Sequence, residues 1–287
     1  MTHECEICGG PQTEWRIGSR DVVDRCTICD HVQRDIVRAP ARARSPAYGG
    51  DPGLDRWRLA VTYRRLTRRF PPRNARVFEI GFGAGALLRR FLDGGAIVSG
   101  ADPGALKVTV DPVLATRATL HATSLEHVPL QDPFDLVFAV HVIEHVADPT
   151  QFATACHDLV RPGGQLVLVT PAGDSASFRA FRSRWWMLED PTHVRFFSAR
   201  SIGRLLVDAG FVDIRVRPLV LDSIAVDAAS CVRALLWKRP PPEGVLALRA
   251  TRILALVSAP VVVLVRLVRA PMRPAMEVSA RRPGRPA

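Results

Sequence analysis

The amino-acid sequence predicts an α/β fold whose core is a doubly wound, mainly parallel sheet, with an N-terminal cysteine-rich segment and a helical C-terminal region. Three observations lead to this prediction. Short apolar runs alternate with helical segments over about 76–216, two Cys-x-x-Cys pairs stand near the N-terminus, and an apolar stretch flanked by arginines lies near the C-terminus. Strands separated by helices form right-handed βαβ units, which require parallel neighbouring strands. The chain of 287 residues suffices for one sizeable domain with small additions.

The N-terminal segment contains two cysteine pairs separated by seventeen residues. They are Cys5, Cys8, Cys26 and Cys29. Pairs at this spacing present four thiolates to one tetrahedral ion, so they predict a structural zinc site in a zinc ribbon spanning 1–37. His3 and His31 flank the pairs, but four thiolates already complete the coordination. The first residues show no apolar signal-peptide core, which predicts a cytoplasmic, reducing location.

The net charge of +11 lies mainly in two arginine-rich blocks, 34–73 and 233–287. The first block contains a proline- and glycine-rich linker, predicted at 38–53, and a helix from about Leu54 to Phe70. Such blocks bind the phosphate groups of nucleic acid or of anionic lipid, or they are simply solvated. Both interpretations stay open for this chain.

The central region is predicted to alternate strands and helices. The strands are expected near Val77–Ile80, Ala96–Ala101, Ala118–His121, Phe134–Val140, Gln165–Thr170 and Phe211–Val216. The helices are expected near Gly85–Leu92, Pro149–Val160 and Ala199–Ala209. The tripeptide Pro162-Gly163-Gly164 is expected to separate the second helix from the strand that follows it.

The C-terminal region 221–270 is predicted to be apolar, basic and helical. Between Arg252 and Arg266 lie thirteen uncharged residues, roughly 20 Å of helix and shorter than the roughly 30 Å hydrocarbon core of a bilayer. An apolar helix with arginines to one side suits a membrane interface. Packing on the domain or on a second subunit is the alternative. The final segment, 271–287, is predicted to be disordered.

The most specific local pattern is VFEIGFGAG, in which a β-rich run ends in an acid and a glycine turn then opens a helix. Its glycines are Gly81, Gly83 and Gly85. Glycines let the backbone turn tightly and approach a ligand. Glu79 disfavours a pyrophosphate at this place and suits the α-amino group of a methionine moiety. Asp102 ends the next strand, where it can accept hydrogen bonds from ribose hydroxyls or cap a helix.

With these motifs the sequence resembles the class I S-adenosylmethionine-dependent methyltransferases, in their small-molecule subgroup. The resemblance covers about 73–218 and is carried in order by VFEIGFGAG, GADP, FDLVFAVHVIEHVADP, LVRPGGQLVLVTP and DPTHVRFFSARSIGRLLVDAGF. It implies a Rossmann-like methyltransferase domain, 54–220 with its leading helix, and a seven-stranded sheet with an antiparallel last strand. That strand cannot be placed after Pro218 from sequence. The cysteine segment resembles the zinc-binding extension of some of these enzymes.

The resemblance also implies roles for individual residues. Glu79 and the three glycines would hold the methionine end of S-adenosylmethionine, Asp102 its ribose, and Ser124 and Leu125 would flank its adenine. His141 would face the methionine half. Methyl transfer is an in-line displacement that benefits from a base, and His145 and His193 are the candidates. The alternative for each histidine is a structural hydrogen bond.

Residues 141–145 also match the HxxEH pattern of inverted zinc peptidases. That site needs one continuous helix, whereas the pattern here follows a predicted strand. Some ubiquinone-type O-methyltransferases resemble this segment and use acids to hold a divalent cation. His141 stands where a glutamate would be expected, which weakens the prediction of a metal here.

The leading functional prediction is an enzyme that methylates oxygen or nitrogen of a small-molecule, glycan or lipid-linked acceptor, in the cytoplasm and at a membrane surface reached through the C-terminal region. An RNA methyltransferase is the first alternative, because zinc ribbons and arginine blocks also suit nucleic acid. Against it, no N/D-P-P-Y sequence follows the fourth predicted strand. A non-catalytic module that binds the cofactor is the second alternative.

Overall fold

A computed structural model describes most of the chain. The described residues are 4–19, 21–34, 52–104, 108–129, 132–220, 223–236, 245, 248–269, 271 and 273–284. Most of the linker predicted at 38–53 lies outside them.

The secondary structure alternates as the sequence pattern predicts. The strands are β1 (Gln12–Arg16), β2 (Val22–Cys26), β3 (Val32–Gln33), β4 (Arg76–Ile80), β5 (Ile97–Ala101), β6 (Thr119–His121), β7 (Phe134–Val140), β8 (Val160–Pro171), β9 (Arg195–Phe196), β10 (Val212–Pro218) and β11 (Ala275–Arg281). The helices are α1 (Pro52–Thr67), α2 (Ala86–Asp93), α3 (Pro112–Arg117), α4 (Pro149–Leu159), α5 (Ala176–Phe181), α6 (Ala199–Asp208), α7 (Ser223–Leu236) and α8 (Arg249–Val268).

Seven strands form one sheet in the order β10-β11-β8-β7-β4-β5-β6. Strand β4 pairs in parallel with both β5 and β7, and β5 pairs in parallel with β6. Residues of β7 are buried along most of their length, as expected for a parallel strand covered on both faces. The mainly parallel, doubly wound α/β fold is therefore confirmed.

The seventh strand lies where the sequence predicted disorder. Residues 275–281 form β11, and all but the last are buried, so the expectation of a disordered segment at 271–287 is wrong for this part. The Gly163 N–H donates to the Arg282 carbonyl at 3.0 Å, and the Ala172 N–H donates to that of Pro274 at 2.8 Å. The partner number falls as the β8 number rises, so β11 is antiparallel to β8. Helices α7 and α8 are thus an insertion between two neighbouring strands.

A second difference concerns Pro162-Gly163-Gly164. The sequence placed a break there, but β8 begins at Val160 and runs through all three residues. Gly163 has a φ of 78°, and a Cβ on Gly164 would lie 2.9 Å from the Phe134 carbonyl oxygen. The tripeptide therefore serves a close approach of strands rather than a turn between elements.

Contacts within the chain divide it into two compact units. The first unit is Met1–Arg42, Val169–Arg204 and Val216–Glu277, and the second unit is Ala43–Leu168, Leu205–Arg215 and Val278–Ala287. The core of the second unit packs α1 and α2 on β4, β5 and β7 through side chains such as Leu88, Phe91 and Phe138. Phe91 contacts Tyr63 edge to face at 5.1 Å between ring centroids.

The first unit contains a small antiparallel sheet in the order β1-β2-β3-β9. Strand β3 pairs with β9 through Val32 and Phe196 and through Gln33 and Arg195. The cysteine-rich segment predicted as 1–37 is therefore completed by a strand that lies about 160 residues later in the sequence.

Candidate functional site

The functional residues predicted in the second unit lie at or just after the carboxyl ends of β4, β5, β6 and β7. From β4 the chain builds β5 and β6 on one side, and it then builds β7 and β8 on the other. The sheet order therefore reverses between β4 and β7, and ligands of open α/β sheets bind at such a switch point. A Cβ on Gly81, after β4, would lie 2.5 Å from a methyl of Val142, after β7, so the two loops touch.

The glycine turn after β4 has a backbone that other residues rarely adopt. Gly81, Gly83 and Gly85 have φ values of 73°, 53° and 83°, all in the left-handed region. A Cβ on Gly85 would also lie 2.3 Å from a methyl carbon of Leu114. Gly85 precedes the first turn of α2 and caps it with no side chain, so the turn presents backbone to the switch point.

Asp102 ties this turn to the loop after β5. Its Oδ2 accepts a hydrogen bond from the Gly83 N–H at 2.9 Å, and its Oδ1 accepts one from the Gly104 N–H at 2.8 Å. The side chain is buried. It does not cap a helix among the described residues, where the next helix is α3, capped by Asp111. Each carboxylate oxygen keeps a second lone pair in principle, which is what an acceptor for sugar hydroxyls needs.

Glu79 is the most unusual group at this edge of the sheet. It is buried, and within the described residues its Oε2 has no hydrogen-bond partner. Burial raises the pKa of its carboxyl well above the ordinary value of 4.5, and the charge of Asp102 acts in the same direction. A buried acid without a partner for one oxygen is destabilising unless a cation or donor approaches it. This carboxyl therefore fits a positively charged ligand group.

Of the predicted adenine-side residues, Ser124 precedes and Leu125 begins a short 3₁₀ turn, Leu125–His127, after β6. Leu125 is buried, whereas the Ser124 hydroxyl lies 2.9 Å from Nδ1 of His127. The turn offers an apolar side chain and backbone groups, and it includes no aspartate.

His141 lies directly after β7 with a φ of 57°, a strained conformation for a residue with a side chain. Its Nδ1 is 3.0 Å from Oε1 of Glu144, and Glu144 is fully buried in the 3₁₀ turn Ile143–His145. These residues do not form the continuous helix that an inverted zinc peptidase needs, so that interpretation is excluded. Strain held by a buried acid is common at binding sites.

The two candidate bases belong to different units. His145 is half-buried in the second unit, where its backbone N–H donates to the Val142 carbonyl at 2.9 Å. His193 is buried in the first unit, and its Nδ1 lies 2.7 Å from the Met187 carbonyl oxygen. A carbonyl accepts but cannot donate, so Nδ1 of His193 carries a proton, and in the neutral imidazole the lone pair lies on Nε2, which is 3.9 Å from Oδ2 of Asp190.

The four cysteines of the first unit converge as predicted. Their sulfur atoms all lie within 4.8 Å of one another, with 3.7 Å between Cys5 and Cys29 and 3.4 Å between Cys8 and Cys26. Burial raises the pKa of the Cys26 thiol, but N–H groups of Cys29 and Ile28 at 3.4 Å counter this and bring it to about 7. Backbone N–H groups aimed at a sulfur stabilise a thiolate. The donor set is suited to a tetrahedral ion.

Residues that sequence analysis missed join this cluster to the segment around β9. Glu6 lies between two of the cysteines, and its carboxylate accepts hydrogen bonds from Nε and Nη2 of Arg195 at 2.7 and 2.8 Å. Oε1 of Glu6 is also 2.9 Å from Nε2 of His31. The Ser198 hydroxyl donates to the Cys29 carbonyl at 2.5 Å. Arg195 and Ser198 are more than 160 residues from their partners Glu6 and Cys29, so no local pattern indicated these contacts.

Comparison with known proteins gives a family for this fold. A family model described as "Methyltransferase domain" matches residues 54–216. A ubiquinone biosynthesis O-methyltransferase from Dinoroseobacter shibae is 30% identical over 181 residues, 58% of this chain and 72% of the relative. A tRNA U34 carboxymethyltransferase from Idiomarina loihiensis is 31% identical over 172 residues, 56% of this chain and 53% of the relative.

The matched regions are often partial. For several further ubiquinone biosynthesis O-methyltransferases, this chain covers only 38–39% of the relative's length. Among solved structures, an S-adenosylmethionine-dependent methyltransferase from Mesorhizobium loti has a TM-score of 0.52 at 19% identity, covering 80% of this chain and 100% of that protein. At this identity the likeness concerns the fold alone.

Proposed function

Because this chain belongs to the S-adenosylmethionine-dependent methyltransferases, we propose that it transfers a methyl group to oxygen or nitrogen of a small-molecule, glycan or lipid-linked acceptor. The observation that carries the proposal is the buried carboxyl of Glu79, whose Oε2 has no partner among the described residues, beside three left-handed glycines at the switch point. Similarity to an O-methyltransferase named for ubiquinone biosynthesis supports a small-molecule acceptor.

In this proposal, different residues of the second unit contact different parts of the cofactor. S-adenosylmethionine, when bound, supplies a methyl group on a cationic sulphonium centre. Glu79 receives the α-amino group, and the turn at Gly81, Gly83 and Gly85 lets the backbone approach it. Asp102, held by two backbone N–H groups, accepts hydrogen bonds from the ribose hydroxyls. Ser124 and Leu125 flank the adenine, and His141 faces the methionine half.

His145 and His193 are the proposed bases for the acceptor. A base must present a lone pair near the proton that it removes. In the neutral form of His193, the hydrogen bond from Nδ1 to the Met187 carbonyl selects the tautomer whose lone pair is on Nε2. In the same segment, Oδ1 of Asp190 accepts hydrogen bonds from both the N–H and the hydroxyl of Thr192, at 2.9 and 2.6 Å. These hydrogen bonds hold the turn that precedes His193, which helps to position its ring.

Zinc is the proposed ion of the four-cysteine cluster. Four thiol sulfurs within 4.8 Å form a closed donor set with no position left for substrate, so the role of the ion is structural. The ion would hold β1, β2 and the Cys26–Cys29 turn in place, and through them the segment that contains Arg195 and Ser198.

A label-transfer experiment tests the proposed function. The zinc-loaded full chain is incubated with S-adenosylmethionine labelled in its methyl group and with extracts split into organic-soluble, small polar and RNA fractions. Label is expected in an organic-soluble or small polar compound, identified by mass spectrometry, and not after Glu79→Gln substitution. Label in RNA alone would establish the alternative that the similarity to a tRNA-modifying enzyme also raises. No transfer to any fraction, with cofactor binding intact, would favour a non-catalytic module.

A further inference from the structure

Helix α8 exposes its largest apolar side chains and buries two of its polar ones. On one side lie Thr251, whose hydroxyl donates to the Val245 carbonyl, and Arg266, which is 1% exposed and pairs with Asp227 of α7. Asp227 also accepts a hydrogen bond from the Ser177 hydroxyl at 2.9 Å. This polar side packs on α7.

The opposite side of α8 is continuous and apolar. Its seven members are each 62–78% exposed, and together we name them the α8 apolar face: Ile253, Leu256, Val257, Val261, Leu264, Leu267 and Val268. At 100° per residue they fall within an arc of about 140°. A contiguous exposed apolar patch of this kind marks an interaction surface rather than an ordinary solvent face.

The charges around this face are all positive. Arg249 precedes it and Arg269 follows it, both are exposed, and α8 contains no acidic residue. In an isologous dimer built on α8, the arginines at the two ends of one helix would meet those of its partner, and like charges in contact are unfavourable. An anionic lipid surface instead offers hydrocarbon to the face and phosphate to the arginines.

The fold excludes a simple transmembrane arrangement. Among the described residues, α8 is the one helix that is long and apolar enough to cross a membrane. However, β10 precedes α7, β11 follows α8, and both strands lie in the same sheet, so the chain before and after the insertion is on one side. Pro260, in the middle of α8, has no N–H to donate to the backbone carbonyl four residues earlier. A carbonyl without its helical donor is tolerated better at a hydrated interface than in hydrocarbon.

We propose that the helix pair α7–α8 docks this protein on an anionic phospholipid surface, with the α8 apolar face lying in the membrane interface. Exposed arginines at its ends contact lipid phosphates, while the buried Arg266–Asp227 pair holds α8 against α7. The proposal does not depend on the identity of the methyl acceptor, because docking needs neither cofactor nor acceptor.

Vesicle co-sedimentation of the zinc-loaded full chain tests this proposal. Vesicles of phosphatidylcholine with and without phosphatidylglycerol are compared at low and high salt. Binding is expected with phosphatidylglycerol and is expected to weaken with salt. Replacing Ile253, Leu256, Val257 and Leu264 together by Ser should weaken it at least tenfold without lowering the melting temperature, because these side chains are exposed. Arg249→Gln and Arg269→Gln should each cost about fivefold.

The matched control replaces exposed apolar residues elsewhere, Ile97→Ser and Val207→Ser, which are 56% and 60% exposed. These substitutions should leave vesicle binding unchanged. The proposal would be overturned if the wild-type protein did not bind phosphatidylglycerol vesicles, or if the control reduced binding as much as the four serines. A dimer in solution that the four serines convert to monomer, without vesicle binding, would show that a second copy covers the face.

Discussion

The glycine turn of the second unit and the cysteine cluster of the first unit are built in opposite ways. Every residue proposed to contact the cofactor lies between Glu79 and His141, at or just after the carboxyl end of a parallel strand of one sheet. The cysteine cluster instead depends on residues from both ends of a long stretch of sequence, since Glu6 and Cys29 contact Arg195 and Ser198. The first arrangement is local in sequence, whereas the second exists only after the chain has folded.

This difference determines which functional residues can be recognised from sequence and which become visible only in the folded structure. A local site leaves a pattern of spacing, such as an acid two residues before a left-handed glycine. In a non-local site only the metal ligands form a recognisable sequence pattern, and the residues that support them do not. Substitutions in one unit should therefore leave the stability of the other unit unchanged.

Removing one thiolate should have the largest effect on stability. Cys26→Ser removes one of four metal ligands, and binding of structural zinc contributes about 10–16 kcal/mol in isolated zinc-finger peptides. Hydrogen exchange followed by mass spectrometry should show loss of protection in β1, β2, β3 and β9, with protection of β4, β5 and β7 retained. Cys156→Ser, at a buried thiol outside the cluster, is the control for a cysteine substitution as such. Equal loss of protection in both sheets would contradict the separation.

Replacing a catalytic base should lower turnover, and at the half-buried His145 it should do so without affecting folding. His193→Gln and His145→Gln are each expected to reduce kcat by about 10²–10⁴ if the histidine acts as the base, while the melting temperature changes little for His145, which is half-buried. The pH profile of kcat in each variant distinguishes a base from a structural histidine, because only loss of the base removes the rise of rate with pH. Variants with an unchanged pH profile would assign a structural role.

Breaking the Glu6–Arg195 pair should destabilise the first unit by about 3 kcal/mol, since it leaves a buried guanidinium with a weaker partner. The variant is Glu6→Gln, measured by urea denaturation of the zinc-loaded protein. Asp30→Asn is a matched control in the same segment, because the Arg25–Asp30 pair is about one-third exposed on both sides, and an exposed pair is worth below about 1 kcal/mol. Similar losses in the two variants would mean that the Glu6–Arg195 contact has no special weight.

A side chain in the glycine turn should cost less stability but should act on cofactor binding. Gly85→Ala is expected to destabilise the second unit by about 1–3 kcal/mol because its φ of 83° is strained for alanine, and to weaken cofactor binding. Gly203→Ala in α6 meets no atom within 4 Å and serves as the control. Because alanine favours a helix over glycine, Gly203→Ala should raise the free energy of unfolding by about 1 kcal/mol. Equal cofactor affinity in the two variants would show that the turn is not the binding loop.

Much of the second unit could be predicted from sequence because each element has a local cause. Apolar runs of five to seven residues gave the strands of the parallel sheet, and turn residues such as Gly81 set their ends. Strand β11 was missed because its sequence, AMEVSAR, has charged and small residues and follows an arginine-rich stretch. Its burial comes from its place between β8 and β10, which only the folded sheet determines.

The supporting contacts of the first unit were missed for a related reason. Arg195 resembles any other arginine of this arginine-rich chain, yet it is 1% exposed and bonded to Glu6. In α8 the apolar run was evident, but which side of the helix faces α7 depends on the pair between Arg266 and Asp227. Sequence alone cannot show that a polar side is the buried one.

Calorimetric titration of the zinc-loaded protein with S-adenosylmethionine across a range of pH tests directly whether Glu79 binds the cationic end of this cofactor. Burial raises the pKa of Glu79 well above 4.5 in the cofactor-free protein. Between pH 4.5 and this raised pKa the carboxyl ionises in the unfolded chain but not in the folded one, so the free energy of unfolding of the cofactor-free protein falls as pH rises. A cationic ligand favours the carboxylate, so binding should release a proton and strengthen as pH rises through the same interval. Glu79→Gln should bind about tenfold more weakly or worse, without that pH dependence. Absence of binding by the wild-type protein at every pH would contradict the account.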